Sequence, residues 1–269
     1  MAVPRPLMVV WVLVWFVGGT ISVPWVLVQL SAGLTGEDPP PTVFGLSVAS
    51  TSIGLLWGLM TVYFLGVMRS EARSTAAQLV DALRGKSVEL KSSGDATRAL
   101  VAGSLERVSD ELANPSVLQN PWPLLVVAGA LLVASAPLST VVSSLALEVA
   151  ADPLAAVEEL SLIMALGTVG LVIALLHVVL LLYALHSLNG LLGVLDRSVS
   201  FSFESVSRLV PVSDSVKRRR IGKRSTLLYA LLTLITLGVF QLYWVWALNE
   251  DLSECERRAG ELLRLLSRV

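Results

Sequence analysis

The chain has 269 residues, of which 54% are hydrophobic and only 15% charged, with a formal net charge of −1. Soluble domains carry about 25% charged residues, so the composition argues against a water-coated globule and for an integral membrane protein. The single cysteine, Cys255, excludes an internal disulfide and a cysteine-based metal cluster, and the near-neutral charge gives no general attraction to nucleic acid.

A membrane-crossing helix needs about 20 consecutive apolar residues. Charge-free runs predict crossings near 7–31, 43–68, 123–147, 161–186 and 226–248. The first run exceeds the apolar core of a signal peptide and lacks a small-residue cleavage pattern, so it is expected to be a retained helix. Pro24 and Pro137 fall inside the first and third runs and are expected to kink them.

Between the second and third crossings, residues 69–121 form the largest polar stretch. Ala72, Ala76, Leu79, Leu83 and Leu90 recur at steps near three and four, as do Val101, Leu105, Val108 and Leu112. That spacing marks two amphipathic helices. Ser92-Ser93-Gly94-Asp95 supplies the turn and the next N-cap, and Asn114-Pro115 the stop. A helical hairpin follows, its stripes either buried against each other or offered to a partner.

After the fourth crossing, residues 189–225 form a basic loop. Val199-Ser200-Phe201-Ser202-Phe203 alternates like a strand, yet Val199, Phe203, Val206 and Val210 also fit a helix. Beside a membrane an interfacial helix is expected, with Phe201 and Phe203 in the headgroups. Lys217, Arg218, Arg219, Arg220, Lys223 and Arg224 then place six cations in eight positions. They suit anionic lipid headgroups at about 1 kcal/mol per charge, or serve only as a topology anchor. No aromatic-interleaved basic surface points to nucleic acid.

The tail, 249–269, carries a stricter pattern. Leu248, Leu252, Cys255, Ala259, Leu262, Leu266 and Val269 alternate steps of four and three, with charged residues, Arg258 among them, between. Such a seam is expected to join copies of the chain as a short coiled coil. The alternatives are a helix lying on the bilayer or one docked on the hairpin. Within the stripe Cys255 is expected to act as a small packed hydrophobe rather than a reactive thiol.

The expected fold is therefore all-α. It is a polytopic membrane helix bundle of about five transmembrane helices, two in 1–68, two in 122–188 and one at 226–248. A cytoplasmic helical hairpin and a C-terminal amphipathic helix complete it. Orientation follows from basic residues in short loops. The stretch 69–121 holds seven and 187–225 eight, whereas 31–42 and 148–160 hold none and carry six acids between them. The first two are expected in the cytoplasm with the N-terminus. Five crossings place the C-terminus outside; a fifth segment that dips in and returns leaves it inside.

No hydrolase, nucleotide-binding or zinc-protease motif occurs, and no Asp, Glu, Lys or Arg lies inside a predicted span. Neither a catalytic residue nor a cofactor or metal is expected. Small residues recur instead at packing intervals, as in Ser50-Gly54-Gly58, Ser135-Ser139-Ser143 and Gly167-Gly170-Ala174. They let helix backbones approach closely, and the serine face could alternatively line a polar path. His177 shares the small-residue face of the fourth run, so it either bonds a serine of the third helix structurally or serves transport. His186 faces elsewhere, near the interface.

The run Thr233-Leu234-Ile235-Thr236-Leu237-Gly238-Val239-Phe240-Gln241-Leu242-Tyr243-Trp244-Val245-Trp246, with Asn249, Asp251 and Leu252 after it, resembles the hallmark of the prokaryotic membrane family called domain of unknown function 4234. Phe240 stands where that family usually has tyrosine. The resemblance covers about 225–255 and implies a prokaryotic membrane protein without implying an activity. Phe240, Tyr243, Trp244 and Trp246 also suit an interfacial aromatic belt. The functional expectation is a non-enzymatic multi-pass cell-membrane protein that scaffolds or assembles with copies of itself or a membrane partner. The alternative is a small channel or transporter for a neutral or weakly charged solute.

Overall fold

Hydrocarbon leaves backbone N–H and C=O groups no partner but each other, so long apolar runs settle into helices. The computed structural model describes residues 2–35, 42–151, 156–214, 221, 225–236 and 239–269. All secondary structure among them is helical. The helices are α1 (Arg5–Thr35), α2 (Thr42–Ser92), α3 (Ala96–Leu112), α4 (Pro115–Leu118), α5 (Trp122–Ala151), α6 (Ala156–Val206), α7 (Thr226–Ile235) and α8 (Val239–Leu266). Among the described residues four stretches are long and apolar enough to cross a membrane: Arg5–Ser22, Gly45–Ser92, Trp122–Val142 and Leu160–Val206. The second and fourth belong to helices of 51 residues each, so each span continues without a break into a polar arm. Helix α5 runs on through Pro137.

The fifth apolar run does not form one helix. It divides between α7 and α8, and the Tyr229 ring lies 5.0 Å from Phe240 and 5.4 Å from Trp244. Eleven residues of continuous helix would separate Tyr229 from Phe240 by about 16 Å. The chain therefore reverses here into a helical hairpin, and a single helix over 226–248 is corrected. Thr236 closes the turn, its hydroxyl donating to Leu232 O at 2.7 Å and accepting the Phe240 N–H at 2.9 Å.

The chain forms two compact units. One comprises Arg5–Phe64 and Trp122–Tyr183. Its helices meet through aromatic and small residues. Trp11 stacks on Trp57 with centroids 5.7 Å apart and donates its indole N–H to Thr61 Oγ1 at 2.8 Å. Ser22 and Ser50 share a hydroxyl bond of 2.6 Å between α1 and α2. Most of this unit's large apolar side chains, such as Leu13, Phe16, Met164 and Leu171, point outward.

The other unit comprises Met1–Pro4, Leu65–Pro121 and Ala184–Val269. Its centre is a four-helix cluster. The polar arm of α2 turns through Gly94, at φ +73°, into α3, where Asp95 caps by accepting the Thr97 N–H at 2.8 Å. Only glycine adopts that left-handed φ without strain. Arg84–Asp110 (3.2 Å) and Lys91–Glu106 (2.6 Å) tie the two arms antiparallel. Both expected stripes are buried, Ala72 to Leu90 facing inward along with Val101 to Leu112. The C-terminal part of α6 and then α8 fill the other two places. Residues 199–206 are therefore the end of α6 rather than a separate interfacial helix. Phe201 is 42% exposed but Phe203 only 2%, so the expectation that both dip into headgroups is corrected for Phe203.

Candidate functional site

Two polar constellations stand out, one in each unit. In the apolar unit, α2, α5 and α6 line an open-sided cavity of about 480 Å³. Its walls include Thr51, Gly54, Ser135, Ser139, Gly167 and Gly170, so it brings together the small-residue stripes of three helices. The hydroxyls of Ser135 and Ser139 donate back to Leu132 O (2.8 Å) and Ala136 O (2.9 Å) of their own helix. The side chain of Ser143 lies outside the described set. A Cβ placed on Gly54 or Gly167 would meet nothing within 4 Å. At Gly58 the opposite holds, because a Cβ there would run into Leu132 Cδ2 of α5. Close α2–α5 packing therefore depends on Gly58, while Gly54 and Gly167 leave space open.

His177 does not line that cavity. It is buried, and its Nδ1 lies 2.8 Å from Ala128 O. A carbonyl only accepts, so Nδ1 carries the proton and bonds α6 to the α5 backbone. The partner is a backbone carbonyl and not the expected serine. His186, in the other unit, meets Thr226 Oγ1 at 3.0 Å, and Asn189 Nδ2 reaches the same oxygen at 3.4 Å.

The second constellation joins the tail to α6. The Arg258 guanidinium pairs with Asp196 through Nη1, donates from Nη2 to Ser200 Oγ at 3.0 Å, and lies 6.0 Å from the Phe203 ring centroid. The side chains of Arg258 and Asp196 are 1% and 4% exposed. Further hydrogen bonds such as that to Ser200 help repay the cost of burying the pair, and removing one member leaves a buried charge. Beside it Cys255 points its thiol at Leu192 O, 3.9 Å away. Burial, then Asp196 and Asp251, push that thiol up to about 12, with Arg258 opposing. A thiol that keeps its proton at ordinary pH is a weak nucleophile.

The predicted oligomer seam is thereby accounted for within one chain. Leu252, Cys255, Ala259, Leu262 and Leu266 are each at most 4% exposed in the single chain. Their own helices cover them, so the periodicity holds while its assignment to contact between copies is corrected. Arg258, taken as a flanking charge, in fact points inward with the seam. The tail also shares its unit with 69–121 and the end of α6. Asn249 grips the other terminus, its Oδ1 accepting the Val3 N–H at 2.8 Å and its Nδ2 donating to Val3 O at 3.1 Å. Trp244 is buried in the unit's core rather than standing in an interfacial belt. Lys217, Arg218, Arg219, Arg220, Lys223 and Arg224 lie outside the described residues. No group of three or more potential metal ligands occurs among the described residues.

These features define an all-helical protein with several membrane-type helices and a self-closed helical body. Residues 224–266 match the family model described as "Domain of unknown function (DUF4234)". The match covers α7 and α8, with Asn249 and Leu252 of the resembling run serving there as the clamp on Val3 and a core side chain. No curated protein and no solved structure matches the chain.

Proposed function

We propose that the chain is a non-enzymatic multi-pass cell-membrane protein that works by assembly with a membrane partner. Four crossings leave the N-terminus, the link between the second and third crossings and the chain after the fourth on one side. The basic loops assign that side to the cytoplasm, and Arg257, Arg258, Arg264 and Arg268 of the tail conform to the same rule. The C-terminus is then cytoplasmic.

The observation that carries assembly over solute passage is the wall of the 480 Å³ cavity. Its serine hydroxyls are turned back on their own helix, and His177 is engaged by Ala128. What remains is glycine, alanine, leucine and valine with the single hydroxyl of Thr51, a surface that lets another helix approach closely and offers a polar solute few partners. The occupant is a transmembrane helix, from a partner protein or a second copy.

Filling the cavity with Gly54→Leu and Gly167→Leu tests this in mild detergent. The expected result is loss of the copurifying membrane protein, or of the dimer, with unchanged melting of the monomer. Solute flux through reconstituted wild-type chain, blocked by the same substitutions, would overturn it.

A further inference from the structure

We propose that the α7–α8 hairpin is a re-entrant wedge, dipping into the cytoplasmic leaflet and returning, with the lipid acyl region as its partner. This rests on the four-crossing reading above. Both ends of the hairpin are tied to residues that flank membrane-type helices. Thr226 hangs on His186 and Asn189, which follow the charge-free run 161–186 in sequence, and Asn249 holds Val3, two residues ahead of α1. In this proposal those anchors lie at the membrane surface.

From them the two arms extend together. Helix α8 runs parallel to the end of α6, with Cys255 at Leu192 and Arg258 at Asp196. Traced backward, it heads in the direction in which α6 becomes apolar. Helix α7 has ten residues, about 15 Å at 1.5 Å per residue, and so reaches roughly half of the ~30 Å hydrocarbon layer. No charged residue occurs between Ser225 and Asn249.

The chemistry of the surface matches that occupant. Leu227, Leu228, Leu231 and Ile235 form one exposed face of α7, continued by Val239 and Tyr243 on α8. Thr236 satisfies backbone groups on both sides of the turn, as hydrocarbon demands of any broken helix. Six cations in Lys217–Arg224 directly precede the hairpin in sequence, and such clusters attract anionic headgroups.

The test uses the full chain, with Cys255 replaced by serine, in oriented vesicles containing anionic phospholipid. Single spin labels go at Ser225, Ile235 and Glu250, all exposed positions, and at Ser93. Ile235 is expected to lose collision with an aqueous nickel chelate and to gain collision with oxygen. Ser225 and Glu250 are expected to stay chelate-accessible and to be reduced from the same side. Ser225 and Glu250 on opposite sides would overturn the wedge in favour of a crossing. Chelate collision at Ile235 equal to that at Ser225 would overturn it in favour of a water-facing or protein-docking hairpin. Ser93 on the side opposite Ser225 would instead refute the four-crossing reading, whatever the depth of Ile235.

Discussion

Replacing Arg258 with methionine keeps most of the side-chain volume and removes the charge that Asp196 faces. Both side chains are at most 4% exposed, so water cannot take over the missing interaction. Breaking a buried pair by removing one partner costs about 3–5 kcal/mol, against a total stability of about 5–15 kcal/mol for a typical domain. Asp196→Leu should cost a similar amount by stranding the guanidinium between Ser200 and the Phe203 ring. The double variant should recover most of the loss, since an apolar replacement of a buried pair is often neutral or stabilising. Thermal unfolding in detergent supplies the three values for a double-mutant cycle. Labelling of Cys255, 2% exposed in the native chain, reports tail release independently. Single losses below about 1 kcal/mol, the ordinary worth of an exposed pair, would refute the reasoning. So would a double variant whose loss equals the sum of the singles.

Tail docking should weaken as pH rises from about 9 to about 12, because the released Cys255 thiol ionises from its ordinary value of 9.0 while the docked thiol holds its proton up to about 12. Stability is fully present below the lower value and falls by up to about 1.4 kcal/mol per pH unit above it. Cys255→Ala should flatten the slope in a pH series of melting curves, and an unchanged slope would count against the assignment. Gly58→Ala should destabilise by about 1–3 kcal/mol by forcing Leu132 aside, whereas Gly54→Ala should be near neutral; melting curves in the opposite order would sink the account of α2–α5 packing. His177→Asn should cost about 0.6 kcal/mol, the average for a hydrogen bond inside a membrane bundle, with no change in any solute flux. Loss of flux with unchanged melting would show that His177 belongs to a pathway.

Helix faces were legible in the sequence because the period of apolar side chains is a property of one helix. Ala72 to Leu90, Val101 to Leu112 and Leu252 to Leu266 follow such a period, and their side chains are buried. What covers a face depends on residues far away in the chain, and periodicity is silent on that. The heptad steps of the tail suit another copy of the chain and the end of α6 equally well. Arg258 shows the same limit from the other side. It lies three residues after Cys255 and four before Leu262, a core spacing, and Asp196 follows Leu195 just as closely. Two opposite charges at inward positions on separate helices were the available signal for the buried pair, but a separation of 62 positions hid it.

The break at Thr236 was harder to read, and its reason is physical. A charge-free run of this length satisfies the condition for crossing, and a Thr and Gly near its middle do not exclude one, since membrane helices tolerate both. The flanks carry the better signal. Lys217–Arg224 precedes the run, and Arg257, Arg258, Arg264 and Arg268 follow it. A crossing would put one of those groups on the side that basic residues avoid, whereas a hairpin keeps both in the cytoplasm. The acidic pair Glu250–Asp251 suggests the opposite only if it is weighed alone, and acids contribute little to orientation. The contacts of Tyr229 with Phe240 and Trp244 agree with the arginines. For a run bounded by cations at both ends, length sets whether it can cross, while charge sets whether it should.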